Sequence, residues 1–149
     1  MDLPKFVDLL RSSTLYLRRA DGFSDRFEGA LTPAFRKAMD DAHANDTSEH
    51  DADLFYRRSR IGNFVSCWTI GGRDNMALWQ LYGGLKTCVA VTTTVKKLIG
   101  VALSWNESVL FHRVNYIDHV RNPDMIVGHY SDMLAYKHEA YAYEKELRL

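Results

Sequence analysis

The chain has 149 residues, 19 basic and 19 acidic side chains, 46% hydrophobic residues and three prolines. Those figures describe one soluble globular domain, able to bury roughly 70% of its unfolded surface, and argue against intrinsic disorder and against a span of the roughly 20 apolar residues that a bilayer needs. Charge is even along the chain, eleven Lys/Arg against twelve Asp/Glu in residues 1–75 and eight against seven in residues 76–149, so bulk electrostatic capture of nucleic acid or of a membrane surface is a poor fit.

The opening MDLPKFVDLL carries two aspartates and a lysine, unlike the apolar run of a secretory signal. Leu3, Phe6, Val7, Leu9 and Leu10 recur at helical spacing with Pro4 in the first turn, Ser12-Ser13 ends that helix, and Thr14 to Arg19 reads as a strand. Residues 20–29 are turn residues with Phe23 and Phe27 interleaved, the pattern of a loop ordered against a core. Pro33 to about Ala42 reads as a helix with proline at its first turn. Residues 40–53 hold six acids and no base, which reads as a flexible, solvated acidic loop; its His43 and His50 show no compact ligand spacing for a metal. Asn63 to Thr69 reads as a buried strand ended by Gly71-Gly72. Asn75 to Tyr82 reads as a helix with Met76, Leu78, Trp79 and Tyr82 on one face, closed by Gly83-Gly84. Cys88 to Thr94 is a β-branched strand, Val95 to Ile99 a short helix, and Val109 to Asp118 a strand with Val114 and Tyr116 on one side. The expected architecture is a single α+β domain, residues 1–149, with a small mixed or antiparallel sheet flanked by short helices.

No phosphate-binding glycine loop, dinucleotide fingerprint or nucleophile elbow is present. Cys67 and Cys88 sit in apolar strands and read as buried structural thiols, in a reduced, cytoplasmic setting. Arg18 and Arg19 end a strand: an inward-facing arginine there needs an acidic partner such as Asp21, Asp25 or Glu28, or else clamps a bound anion. The ending Glu144-Lys145-Glu146-Leu147-Arg148 supports two readings. As a strand it projects Glu144, Glu146 and Arg148 from one face, a carboxylate pair with a cation. As a helix it continues the spacing of Tyr136, Ala140, Tyr143 and Leu147 and pairs Glu144 with Arg148.

Taken in order, Lys5-Phe6, Leu9-Leu10, Leu15 to Asp21 and Asp25 to Gly29, then Val65-Ser66-Cys67-Trp68, Ala77 to Tyr82, Val89 to Thr94, Val114 to Asp118, and finally Lys137 to Tyr141 with Glu144, Glu146 and Arg148, the chain resembles the bacterial family labelled domain of unknown function 2971. Two departures stand out: Arg26 takes the place of the family's proline, and Gly84-Leu85-Lys86-Thr87 stands where the family has a glycine directly before its strand. Relatives continue beyond the Glu-x-Glu-x-Arg segment, so an ending at Leu149 reads as a C-terminally shortened domain. At fold level the order of elements is similar to ADP-ribosyltransferases. That resemblance implies NAD as the cofactor and no metal, Arg18 or Arg19 on its pyrophosphate, Ser66 beside the nicotinamide, Glu146 facing a ribosyl cation and Glu144 orienting the acceptor. A toxin, phage-defence or counter-defence setting goes with it. The alternative is a catalytically inactive binding module, with a protein partner or a second copy covering the sheet edge that a shortened domain exposes.

Overall fold

The computed structural model describes residues 1–25, 27–44, 51–83, 87–121 and 124–149. Among them, five α-helices each begin on a side chain that accepts an otherwise unpaired N–H of the first turn. Asp2 accepts from Lys5 at 2.9 Å and opens α1 (Leu3–Ser12). Thr32 accepts from Phe35 at 3.2 Å and opens α2 (Pro33–His43), and Asp51 accepts from Leu54 at 2.6 Å and opens α3 (Ala52–Ile61). Asn75 accepts from Ala77 at 3.0 Å and opens α4 (Met76–Gly83), and Thr94 accepts from Lys97 at 3.3 Å and opens α5 (Val95–Ala102). With its short strands the fold is α+β. The chain gathers into two compact units, Met1–Tyr16 with Gly71–Leu110, and Leu17–Ile70 with Phe111–Leu149.

The first unit carries α1, α4 and α5. The expected strand from Cys88 to Thr94 reduces to one bridge between Asp2 and Cys88, bordered by the Met1 ammonium donating to Val89 O at 2.9 Å and Leu3 N donating to Thr87 O at 3.2 Å. Residues 90–94 have no ladder partner among the described residues, which is why β-branched composition alone misplaced a strand there. Gly83 lies inside α4 rather than after it, and a Cβ at that position would collide with the Cys88 side chain. Gly84 of the expected helix stop lies outside the described residues. Neither α1 nor α4 contains a buried residue, whereas α5 buries Leu98 and Ala102.

The second unit carries the strands and two apolar clusters. Leu31, Ala52 and Met133 form one, with Phe35, Met39, Phe55 and Tyr56 packed on it from α2 and α3. Ala20, Val65 and Leu134 form the other, under Phe23. The acidic stretch 40–53 is thus not simply a loop: its first residues close α2, Asp51 caps α3, and Ala52 is buried. Asp40 also accepts from Ala52 N, so the acids here serve as caps and links. Residues 45–50, with His50, lie outside the described residues. Ser59 of α3 is fully buried and donates to Tyr130 O at 2.6 Å. Ser59→Ala is expected to leave that carbonyl unpaired and to lower the unfolding free energy by about 1–3 kcal/mol, measurable as a lower urea midpoint.

Strand pairing is short and joins segments distant in sequence. β1 (Arg18–Arg19) pairs antiparallel with β2 (Phe64–Val65), and Thr14 to Leu17 of the expected strand has no ladder partner among the described residues. β3 (Cys67–Thr69), β4 (His112–Arg113) and β7 (Glu146–Arg148) form an antiparallel sheet in the order β3-β7-β4, while β5 (Asn115–Ile117) runs parallel to β6 (Tyr136–His138). The expected strand over Val109 to Asp118 is therefore two strands in two sheets. Its hinge is buried Val114, whose N–H donates to Glu146 O at 3.0 Å. The C-terminal stretch, open to two readings above, is strand β6, a 3-10 turn over Glu139–Glu144, and strand β7. Lys145 joins the last two in a left-handed conformation, φ 47°, and that reversal rules out both a continuous helix and a continuous strand.

Candidate functional site

Five charged side chains from three separate segments meet in the interior of the second unit. Glu28, Lys137, Glu144, Glu146 and Arg148 are each 5% exposed or less. Glu28 comes from the turn after Phe23, where Gly29 at φ 71° lets the chain pass close to Leu134. Lys137 is the central residue of β6 and is placed by its register with Tyr116. Glu146 and Arg148 share one face of β7, the face away from Leu147 and Arg113, which are paired across the sheet.

The contacts close a network. Lys137 Nζ donates to Glu144 Oε2 at 2.5 Å and to Glu146 Oε1 at 3.0 Å, and lies 3.6 Å from Glu28 Oε1. Arg148 donates from Nε to Glu146 Oε2 at 2.7 Å, from Nη1 to Leu134 O at 2.8 Å, and from Nη2 to Glu28 Oε1. The Lys137 ammonium also sits 4.6 Å from the Tyr141 ring centre, and the Arg148 guanidinium 5.6 Å from that of Phe23. Burial works against both cations, but the carboxylates around them hold Lys137 and Arg148 above their ordinary values. The two glutamates move apart. Burial, reinforced by Glu146, pushes Glu144 up to about 7. Burial also works against the Glu146 charge, but the hydrogen bond with Glu144 and the charges of Arg148 and Lys137 bring it down to about 2. Two carboxyls sharing one lysine thus titrate as an unlike pair.

A cleft of about 480 Å³ lies beside β7. Ile70, Val114 and Ala142 supply its apolar lining, and Arg113, Tyr116, Lys145 and Glu146 its polar lining. Glu146 is the residue common to cleft and cluster: its N–H donates to the Tyr116 hydroxyl at 2.8 Å, while its carboxylate oxygens go to Lys137 and Arg148. Burial pushes the Tyr116 phenol above its ordinary value, so it stays protonated.

Of the residues singled out from sequence, Glu144 and Glu146 come together with Arg148. Arg18 and Arg19 are exposed and make local contacts: Arg18 donates to Gly22 O, and Arg19 pairs with Asp21 through two bonds of 2.8 Å. That is the ion-pair alternative for Arg19, with Asp21 as the acid. Ser66 is buried beside β7, exchanging backbone bonds with Leu149 at 2.9 and 3.1 Å and accepting from Trp68 Nε1 at 3.1 Å. Neither arginine nor Ser66 lines the cleft. Cys67 is a correction: it is exposed and Cys88 half-buried, because Cys67 lies on an edge strand of its sheet. Crowding around its sulfur nevertheless pushes the thiol up to about 12, so no ready thiolate stands there.

Sequence reasoning did not single out Glu28 as a cluster member, nor Arg113, Tyr116 and Lys145 as cleft residues. It also missed His119, 5% exposed with no partner for either ring nitrogen among the described residues, its ring stacked 6.0 Å from that of His138. One signal was available: Lys137 follows directly on Met133-Leu134-Ala135-Tyr136, and a lone lysine at the end of a buried run calls for buried acids. Among the described residues no group of three or more His, Cys, Asp or Glu is arranged to hold a metal ion, and no helix is long and apolar enough to cross a membrane. Compared with family models, with curated proteins and with solved structures, the chain finds no match.

Proposed function

We propose that the chain is an ADP-ribosyltransferase-like domain that binds NAD, with Glu146 and Glu144 as its working carboxylates and the cleft beside Glu146 as the ligand site. The observation that supports this most is the sharing of one buried lysine by two carboxylates, Lys137 Nζ lying 2.5 Å from Glu144 and 3.0 Å from Glu146; that arrangement pushes the two proton affinities in opposite directions, dividing the pair into a charged partner and a proton carrier. Glu146, held ionised, offers negative charge to a developing ribosyl cation. Glu144, whose proton affinity burial raises, exchanges a proton with an acceptor. NAD would supply the ADP-ribosyl group, joined to nicotinamide through an N-glycosidic bond. The donors that fit its phosphates are Arg113, Lys145 and the Tyr116 hydroxyl, all in the cleft lining. The test is nicotinamide release from NAD by the purified chain: Glu146→Gln is expected to lower the rate about a hundredfold or more. Parent protein that neither binds NAD nor releases nicotinamide would overturn the proposal.

A second reading is a binding module without catalysis. It is favoured by the saturation of the same carboxylates, since Glu144 and Glu146 are 2% and 5% exposed and already paired with Lys137 and Arg148. Of the apolar residues that α1 and α4 leave open, Leu10, Met76 and Leu81 are each more than 60% exposed and suit a protein partner. A folded parent chain that releases no nicotinamide from NAD would favour this reading over the first.

A further inference from the structure

Lys145 stands in the left-handed region at φ 47°, ψ 53°, a conformation that costs a side chain free energy and that glycine adopts without strain. Its backbone explains the turn, because its carbonyl accepts from Ile70 N at 2.8 Å. Its side chain is not needed for the turn, makes no ion pair among the described residues, and lines the cleft. Arg113, on edge strand β4, lines the same cleft and likewise has no acidic partner among the described residues. The acid nearest in sequence to Lys145 on the cleft side, Glu146, has its oxygens committed to Lys137 and Arg148. Tyr116 accepts the Glu146 N–H, which leaves its own hydroxyl proton without an acceptor among the described residues. Two uncompensated cations and a free hydroxyl donor therefore converge on a concave surface with apolar walls of Ile70, Val114 and Ala142. A fork and a point charge beside a hydroxyl is the donor set that phosphate oxygens match.

We infer that the cleft is a phosphate-binding subsite, with Arg113 and Lys145 as its cations and Tyr116 as its third donor. In identifying that phosphate as the pyrophosphate of a dinucleotide, the inference rests on the function proposed above. It assigns the anion-holding role to residues other than Arg18 and Arg19, whose contacts are to Gly22 and Asp21. The apolar walls take the part of the ligand next to the phosphates, so free pyrophosphate binds more weakly than ADP-ribose.

The experiment is titration of the full chain with ADP-ribose, with inorganic pyrophosphate and with ribose by calorimetry, comparing the parent with Lys145→Gly and Arg113→Gln. Lys145→Gly keeps the turn in its preferred residue, so its unfolding midpoint is expected at or above that of the parent, while affinity for ADP-ribose and pyrophosphate falls about tenfold or more. Arg113→Gln is expected to fall similarly, and ribose not to bind in any variant. Absent binding of both phosphates by the parent, or affinity unchanged in both variants, overturns the inference. Phosphate binding that depends on both residues, in a parent that neither binds NAD nor releases nicotinamide, supports the subsite and overturns the NAD reading alone.

Discussion

Lys137→Met is expected to destabilise the second unit by about 3–5 kcal/mol at pH 7.5, read as a lower urea midpoint. The ammonium is within 3.6 Å of three carboxylates, Glu28, Glu144 and Glu146, and its loss leaves them buried with Arg148 as the remaining cation. The pH dependence tells this mechanism from simple loss of packing. Glu144 titrates above its ordinary 4.5 in the folded protein, so its ionisation opposes folding, and stability falls as pH rises from 4.5 through about 7. Glu146 titrates below 4.5, so its stabilisation is present above that value and is lost as pH falls toward about 2. From these two groups the parent is accordingly most stable near pH 4.5 and loses stability on either side. The Lys137→Met deficit is expected to shrink as pH falls from about 7 toward 4.5, because a methionine beside protonated carboxyls leaves less charge unpaired. A deficit equal at about pH 5 and about pH 7.5 would show that the lysine acts through its packing instead.

Arg148→Met is expected to cost as much, about 3–5 kcal/mol, by a different route. Arg148 ties segments far apart in sequence, since its Glu28 partner lies 120 positions away, and it also satisfies Leu134 O and Glu146 Oε2. Removing it releases the turn at Glu28, strand β7 and the 3-10 turn over Asp132–Ala135 together. Arg148→Lys keeps the charge but loses the fork, and is expected to recover less than half of the loss, because an ammonium cannot reach two carboxylates and a carbonyl in the same plane. Thermal unfolding of the two variants, with the parent beside them, checks both statements; an Arg148→Lys protein as stable as the parent would mean that charge alone suffices.

Four of the five helices were legible from local chemistry: apolar spacing with Pro4 in the first turn, Pro33 at a helix start, the Asn75 to Tyr82 face and the stretch from Val95 match α1, α2, α4 and α5. The exception is α3, whose cap Asp51 lies in the acid-rich stretch that reads as a loop. The strands were legible only in outline. They are two or three residues long, too short for alternation to define, and pairing partners decide them: residues 90–94 have the composition of a strand and no ladder partner among the described residues, whereas Val109 to Asp118 is divided between two. Acid-rich residues 40–53 misled for a related reason. An aspartate capping a helix and one dissolved in a loop have the same sequence signature, and the burial of Ala52 separates them.

By itself the sequence determined the balance of charge, the mixed helix and strand content, four of the five helices and the unusual acid-acid-base run at Glu144, Glu146 and Arg148. Only the tertiary structure decided what those acids face. Glu28, Lys137 and Arg148 meet because a turn held by Gly29, a parallel pairing of β5 with β6 and a left-handed Lys145 bring distant segments to one point. Buried ions tolerate nothing less than such closure: each must find its counter-charge within a few ångströms or lose its hydration uncompensated, and no local pattern records which distant residue will supply it.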